Sequence, residues 1–273
     1  MIRVNAERLW TTLEMMAQIG GTPAGGVTRL ALSEEDRIAR NLLRDWALEA
    51  GLTCDVDSMG NMFIRRAGNN PQLAPVMTGS HVDTQPLGGN YDGVYGVLAG
   101  LELLRTLNDH HLETERDIVL VNWTNEEGAR FAPAMLASGV WTGQFSEAYA
   151  HSRADSDGIS VGEALESIGY RGEAPARAFP VHDCYELHIE QGPILEDEAL
   201  DIGLVRAAMG QRWFTLTLDG FAAHAGTTPM HSRRDALTAF SELALKVEEI
   251  GYRHAPDGRA TIGMAQVTPN SRN

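Results

Sequence analysis

The chain of 273 residues is 43% hydrophobic and 22% charged, a globular composition that suits one large domain or two modest ones. Its 22 Lys and Arg against 37 Asp and Glu leave a formal charge of −15, an excess that repels phosphate backbones and anionic lipid heads. Nucleic-acid and membrane-surface roles are therefore disfavoured.

No apolar run approaches the ~18 residues of a membrane span. The opening MIRVNAERLW lacks the apolar core of a signal peptide, so the expected location is the cytoplasm. Cys54 and Cys184 form no C-x-x-C pair, so any metal must be held by His, Asp and Glu.

Helical spacing of Leu9, Leu13, Met16 and Ile19 predicts an amphipathic helix over 6–19, stopped by Gly20-Gly21-Thr22-Pro23. The glycine-rich loop to Gly26 has no strand before it and no G-x-x-x-x-G-K-[ST], so it does not read as a phosphate cradle. A second helix starts after Ser33, whose hydroxyl can cap it, with Glu34, Glu35 and Asp36 in the first turn and Gly51 as its stop.

Short apolar runs then alternate with helices: Val56, 61–65 and 74–78 as strand material, 94–107 as a helix, and 118–123 (IVLVNW) as a buried strand. The pattern predicts an α/β fold with a mixed, mainly parallel sheet flanked by helices. In such sheets chemistry gathers outside the carboxyl ends of strands. Beyond Arg206 the style changes. Residues 213–218 (WFTLTL) alternate like a half-exposed strand, and 235–250 form an amphipathic helix. This predicts a first α/β unit over 1–206 and a second, smaller α+β unit over 207–273 that reads as truncated.

The chemistry-bearing residues sit at these strand ends. Gly79-Ser80-His81-Val82-Asp83 follows the 74–78 run, and an imidazole two residues before a carboxylate can bind a metal while Asp83 fixes its tautomer. Asp92 precedes an apolar helix, either as its N-cap or as a carboxylate bridging two cations, with Gly88, Gly89 and Gly93 permitting close approach. Glu126 and Glu127 end the buried 118–123 strand. Two adjacent carboxylates there resist burial unless a cation stabilises one, and their divergent side chains let one ligate while the other holds a water.

In 184–193, Tyr185, Leu187 and Ile189 alternate against Glu186, His188 and Glu190, which sets His188 on the polar face of a predicted strand. His224 stands among small residues in GFAAHAGTTPM, where a substrate could come close. His110, His111, His151, His182, His231 and His254 read as structural or surface groups. Together His81, Asp92, Glu127 and His188 are donors suited to two divalent ions sharing one carboxylate, the machinery of metal-assisted hydrolysis.

The segments GSHVDTQPLGGNYDGVYGVLAGLE, NWTNEEGARFAPAMLASGVWTG, ELHIEQGPILE and GFAAHAGTTPMHSRRDAL resemble the M20 group of dinuclear metallohydrolases. Within that group they resemble the N-carbamoyl-L-amino-acid hydrolase branch, related to β-ureidopropionase and allantoate amidohydrolase. The resemblance implies that His81 and His188 are terminal ligands of one ion, Asp92 the bridge and Glu127 a ligand of the second ion. It implies Glu126 as general base and Asp83 as the group orienting His81. Gln191, His224 and Asn273, with Asn270 as a rival for the last, would contact substrate, His224 steadying the oxyanion and in the family often doing so across a dimer interface.

It further implies a homodimer, a small ureido or N-carbamoyl amino acid as substrate, and two ions of Zn, Mn, Co or Ni. Family members continue beyond the equivalent of Asn273 to a last metal-ligand histidine and a carboxylate-binding arginine, neither found here. That absence motivates one rival expectation, a catalytically silent fragment; the others, within the resemblance, are an allantoate or other ureido-acid hydrolase and an M20-type aminoacylase or peptidase. A serine hydrolase has no support, since no G-x-S-x-G occurs.

Overall fold

The computed structural model describes residues 2–271. The chain divides into two compact units, Met1–Gly203 and Leu204–Asn273.

Local sequence accounts for the helices of the first unit. Asn5 caps α1 (Ala6–Ala17) by accepting from Arg8 N–H, and Ser33 caps α2 (Glu34–Glu49) by accepting from Asp36 N–H. Ser160 and Glu163 close a reciprocal capping box on α6 (Val161–Ser167), which follows the short helices α4 (Leu136–Trp141) and α5 (Glu147–His151).

The strands β1 (Thr53–Val56), β2 (Met62–Arg66), β3 (Val76–His81), β4 (Ile118–Trp123) and β5 (Asp183–Tyr185) form one mixed sheet in the order β1-β2-β4-β3-β5. The pairs β1·β2 and β2·β4 are antiparallel, whereas β3·β4 and β3·β5 are parallel. The β3 to β4 crossover runs through α3 (Val94–Asp109), the βαβ unit anticipated from the apolar runs. Alternate strand residues serve the two faces. Leu120 joins a core with Leu98, Leu101 and Leu104 of α3, while Val119 and Val121 pack with Phe63 and Met77 on the other side. Trp123, Trp141 and Phe179 line the second face in edge-on contacts.

The register carries the site. Parallel pairing sets His81 opposite Trp123, so the residues just after Trp123 emerge beside the end of β3.

Two expectations fail. The strand predicted over 184–193 ends at Tyr185, the only part that pairs with β3. Beyond it the polar residues turn to separate partners: Glu186 accepts from Ser80, and Glu190 accepts the N–H groups of Ile194 and Leu195 at the start of α7 (Ile194–Asp197). In the second unit, α8 (Ala236–Arg253) begins at the Asp235 cap and a single 3-10 turn occupies Met230–Ser232, but residues 213–218 form no strand. A strand needs a neighbour to take its backbone N–H and C=O groups. None pairs with this segment among the described residues, and Phe214 remains 79% exposed.

Candidate metal centre

His81 ends β3 and is 2% exposed. Its Nδ1 lies 2.8 Å from the backbone carbonyl oxygen of Asp83, and Nδ1 of His188 lies 2.9 Å from the carbonyl oxygen of Ile189. A carbonyl only accepts, so Nδ1 of each ring carries a proton and Nε2 is the atom left to ligate. Both Nε2 atoms face carboxylates: His188 Nε2 is 3.4 Å from Asp92 Oδ1, and His81 Nε2 is 3.4 Å from Glu126 Oε2. The two rings lie 6.1 Å apart, centroid to centroid.

Asp92 does not cap α3. The N-cap is Gly93, with no side-chain cap, which leaves the Asp92 carboxylate for His188 and for Gln191, whose Nε2 donates to Oδ2 at 2.6 Å. Gly93 is needed for this approach: its φ is +64°, and a Cβ there would stand 2.3 Å from His81 Nε2.

One ligand atom from each of His81, Asp92 and His188 lies within 4.8 Å of the others. The 3.4 Å between His188 and Asp92 matches the edge of about 3.3 Å between two ligands on a tetrahedral ion with bonds near 2.0–2.1 Å. Electrostatics agree. Burial by itself would lower the His81 pKa, but the charges of Asp83 and Glu126 outweigh it and draw a proton to the ring. That field equally favours a divalent cation in the proton's place. The residues present therefore fit a metal.

Glu127 lies outside this trio. Its Oε2 accepts from Gln85 Nε2 at 2.9 Å, while Oε1 is buried without a partner, a vacancy that a cation would satisfy. Burial raises the Glu127 pKa, and the charges of Asp92 and Glu126 push the same way.

Asp83 meets the His81 ring through its backbone and not through its carboxylate. Its carboxylate is 3.7 Å from His81 Nδ1, too long for a hydrogen bond, and the ring is held by the Asp83 backbone carbonyl instead. The two carboxylate oxygens accept the N–H groups of Glu126 and Glu127, each at 3.2 Å. Burial lifts the Asp83 pKa to about 6 against the opposing pull of His81 and these N–H groups.

Gln191, read from sequence as a substrate contact, has its amide on Asp92. His224 belongs to the second unit, where its Nδ1 accepts from Gly226 and Thr227 N–H; Asn273 lies outside the described residues.

Sequence reasoning missed three contributors. Gln85 stood in the quoted DTQP segment without a role. Arg29, 1% exposed, donates from Nε to the Val82 carbonyl between His81 and Asp83 and from Nη1 to the carbonyls of Met16 and Ile19. Asn61 accepts Thr124 N–H at 3.1 Å. Gln85 could have been found from its neighbours. The other two lie far from the motifs in sequence and carry no local signal.

Fold and site together define an α/β unit with a candidate metal centre beside the carboxyl end of β3. The chain matches the profile of Peptidase family M20/M25/M40 over residues 77–266, and it belongs to that family. It is 48% identical over 271 residues to an N-carbamoyl-L-amino-acid amidohydrolase from Rhizobium meliloti, covering 99% of this chain and 65% of the relative. It is 37% identical over 268 residues to an allantoate amidohydrolase from Bacillus subtilis, covering 96% and 64%. An amidase of the hydantoinase/carbamoylase family from Burkholderia vietnamiensis superposes with a TM-score of 0.97 at 57% identity, covering 100% of this chain and 66% of that one. The chain thus spans about two thirds of the length of these relatives. Among the described residues no helix is long and apolar enough to cross a membrane.

Proposed function

We propose that the protein is an amidohydrolase that cleaves the carbamoyl C–N bond of an N-carbamoyl-L-amino acid, with water giving the amino acid, ammonia and carbon dioxide. The observation that carries this reading is the His81–Asp92–His188 cluster with the Glu126 carboxylate 3.4 Å from His81. The names of its relatives from Rhizobium meliloti and Geobacillus stearothermophilus support the substrate class.

His81, His188, Asp92 and Glu127 would hold two divalent ions of Zn, Mn, Co or Ni, with Asp92 shared. Such a pair supplies an acidified water and a polarised carbonyl. Glu126 takes the proton of the attacking water on its carboxylate and returns it to the leaving nitrogen. Asp83 holds Glu126 and Glu127 by their backbones. Gln191 exchanges its bond with Asp92 for a substrate group, and His224 donates to the developing oxyanion from a second copy in a homodimer. Asn273 binds the substrate carboxylate. Residues 1–206 serve as the catalytic domain and 207–273 as part of a lid or dimerisation domain, in the cytoplasm.

The test is ammonia release by the metal-loaded protein from N-carbamoyl-L-amino acids, from allantoate and, as a peptidase control, from dipeptides. Glu126→Gln should abolish release while leaving the metal content unchanged. Preferred turnover of allantoate would move the assignment to a ureido-acid hydrolase, for which the Bacillus subtilis relative is the precedent. Amino-acid release from dipeptides without ammonia would overturn it.

A further inference from the structure

The segment that bears Glu126 is fastened from below by a buried guanidinium. Arg40, in α2, is fully buried, as is its ion-pair partner Asp36 at 2.9 Å. Its Nη1 donates to the Gly60 carbonyl at 2.7 Å, and its Nη2 donates to Thr124 Oγ1 at 3.2 Å. Thr124 is the first residue after β4 and stands two before Glu126. Its N–H is held as well, by Asn61 Oδ1, and the Asn61 amide is anchored on Asp57.

Gly60 makes the reach possible. It sits at φ +78°, and a Cβ there would stand 3.2 Å from Thr124 Oγ1 and 2.7 Å from Leu165 Cδ2. Directly after Thr124 comes Asn125 at φ +54°, a left-handed conformation costly for a residue with a side chain. Strain of this kind persists only where the surroundings over-determine it. Here Thr124 is pinned on one side, and the Asn125 side chain is tied to the carbonyls of Phe131 and Pro133 on the other.

A buried ion pair is weak evidence for stability, because desolvation offsets its Coulomb gain. One Asp36 oxygen is buried with no partner, so the pair is not even fully satisfied. Its geometric consequence is clearer than its energetic one.

We infer that Arg40 is a positioning residue for the hydrolysis proposed above, acting through Thr124 Oγ1 to fix the Asn125 turn and hence the place of the Glu126 carboxylate beside His81. The inference rests on that proposal for its effect on turnover, but its structural half can be read without any substrate.

The variant Thr124→Val keeps the side-chain shape and removes the acceptor; Thr124→Ser keeps the acceptor. Amide hydrogen exchange should quicken about tenfold or more at Glu126 and Glu127 in Thr124→Val, while Leu120 and Val121 in β4 keep their protection, and Thr124→Ser should restore the original rates. In the metal-loaded protein, kcat for ammonia release should fall about 10-fold or more in Thr124→Val with KM and metal content unchanged, and Thr124→Ser should recover it. Unchanged exchange at Glu126 and Glu127 in Thr124→Val overturns the inference, as does a rise that spreads equally through β4. If the unsubstituted protein releases no ammonia, the proposed activity fails, and the exchange rates still decide the role of Arg40 and Thr124.

Discussion

The carboxylate of Asp83 accepts the backbone N–H of Glu126 at 3.2 Å, so the residue two beyond one candidate metal ligand fixes the strand end that carries the candidate base. The β3 and β4 termini are thereby tied across the sheet, in addition to the register that sets His81 against Trp123. His81 takes its orientation from the carbonyl of the same residue, so one amino acid serves the ligand by its backbone and the base by its side chain.

This division predicts the behaviour of Asp83→Asn. The substitution replaces one accepting oxygen with an amide donor facing the N–H of Glu126 or Glu127, while the backbone carbonyl on His81 stays. Turnover should fall about 10–100-fold, the usual cost of losing an outer-shell partner, with bound metal unchanged. Parallel assays of kcat and metal content check this; loss of metal in step with activity would return Asp83 to a direct hold on the ring.

Gly93→Ala attacks the ligand. Its Cβ would come within 2.3 Å of His81 Nε2, and a side chain at φ +64° is strained whatever the space. Metal affinity should drop about tenfold or more while the far-ultraviolet circular dichroism stays that of the folded chain. Unaltered affinity would mean that the ring and the helix start can part without cost.

Gln85→Leu tests whether Glu127 takes part in a second, proposed ion site. Removing the amide that holds Glu127 Oε2 should weaken one of two calorimetric binding steps for Mn²⁺ by about 10–100-fold and leave the other in place. Equal weakening of both steps would show that Gln85 does not act through Glu127.

Asp57 sets a pH dependence away from the metal. Burial raises its carboxyl from the ordinary 3.8 to about 6, although the N–H groups of Asn61 and Met59 pull the other way. Between those values the folded chain holds a proton that the unfolded chain has released. This contribution to stability is therefore full at the acid end, falls as pH rises from about 4 to about 6, and is constant above. The complete shift corresponds to about 3 kcal/mol, at 1.36 kcal/mol per pH unit. A carbon-13 NMR titration of the Asp57 carboxyl should centre near 6; a midpoint near 4 would contradict the burial argument.

How much of this was legible in the sequence divides along the range of the forces involved. The Ser33 cap, the helix over 235–250 and the crossover helix after Asp92 were readable because caps and helical periodicity act within a few residues. His81, Asp92 and His188 stood out because histidines and carboxylates close to strand ends and helix starts form short motifs, and the structure brings the three together.

The Asp83 carboxylate was assigned to the ring two residues away, whereas its partners lie more than forty positions on, joined only by sheet pairing. Arg29, Arg40 and Asn61 were invisible for the same reason, since a buried hub has meaning only once distant backbones meet around it. The alternation in 213–218 misled because a strand pattern states a preference and supplies no neighbour to pair with.

Anomalous diffraction at the zinc edge from crystals grown with Zn²⁺ shows whether His81, Asp92 and His188 hold a metal ion. A peak is expected at about 2.0–2.2 Å from His81 Nε2, His188 Nε2 and an Asp92 carboxylate oxygen. Zinc bound elsewhere, with no peak among these three side chains, would contradict it.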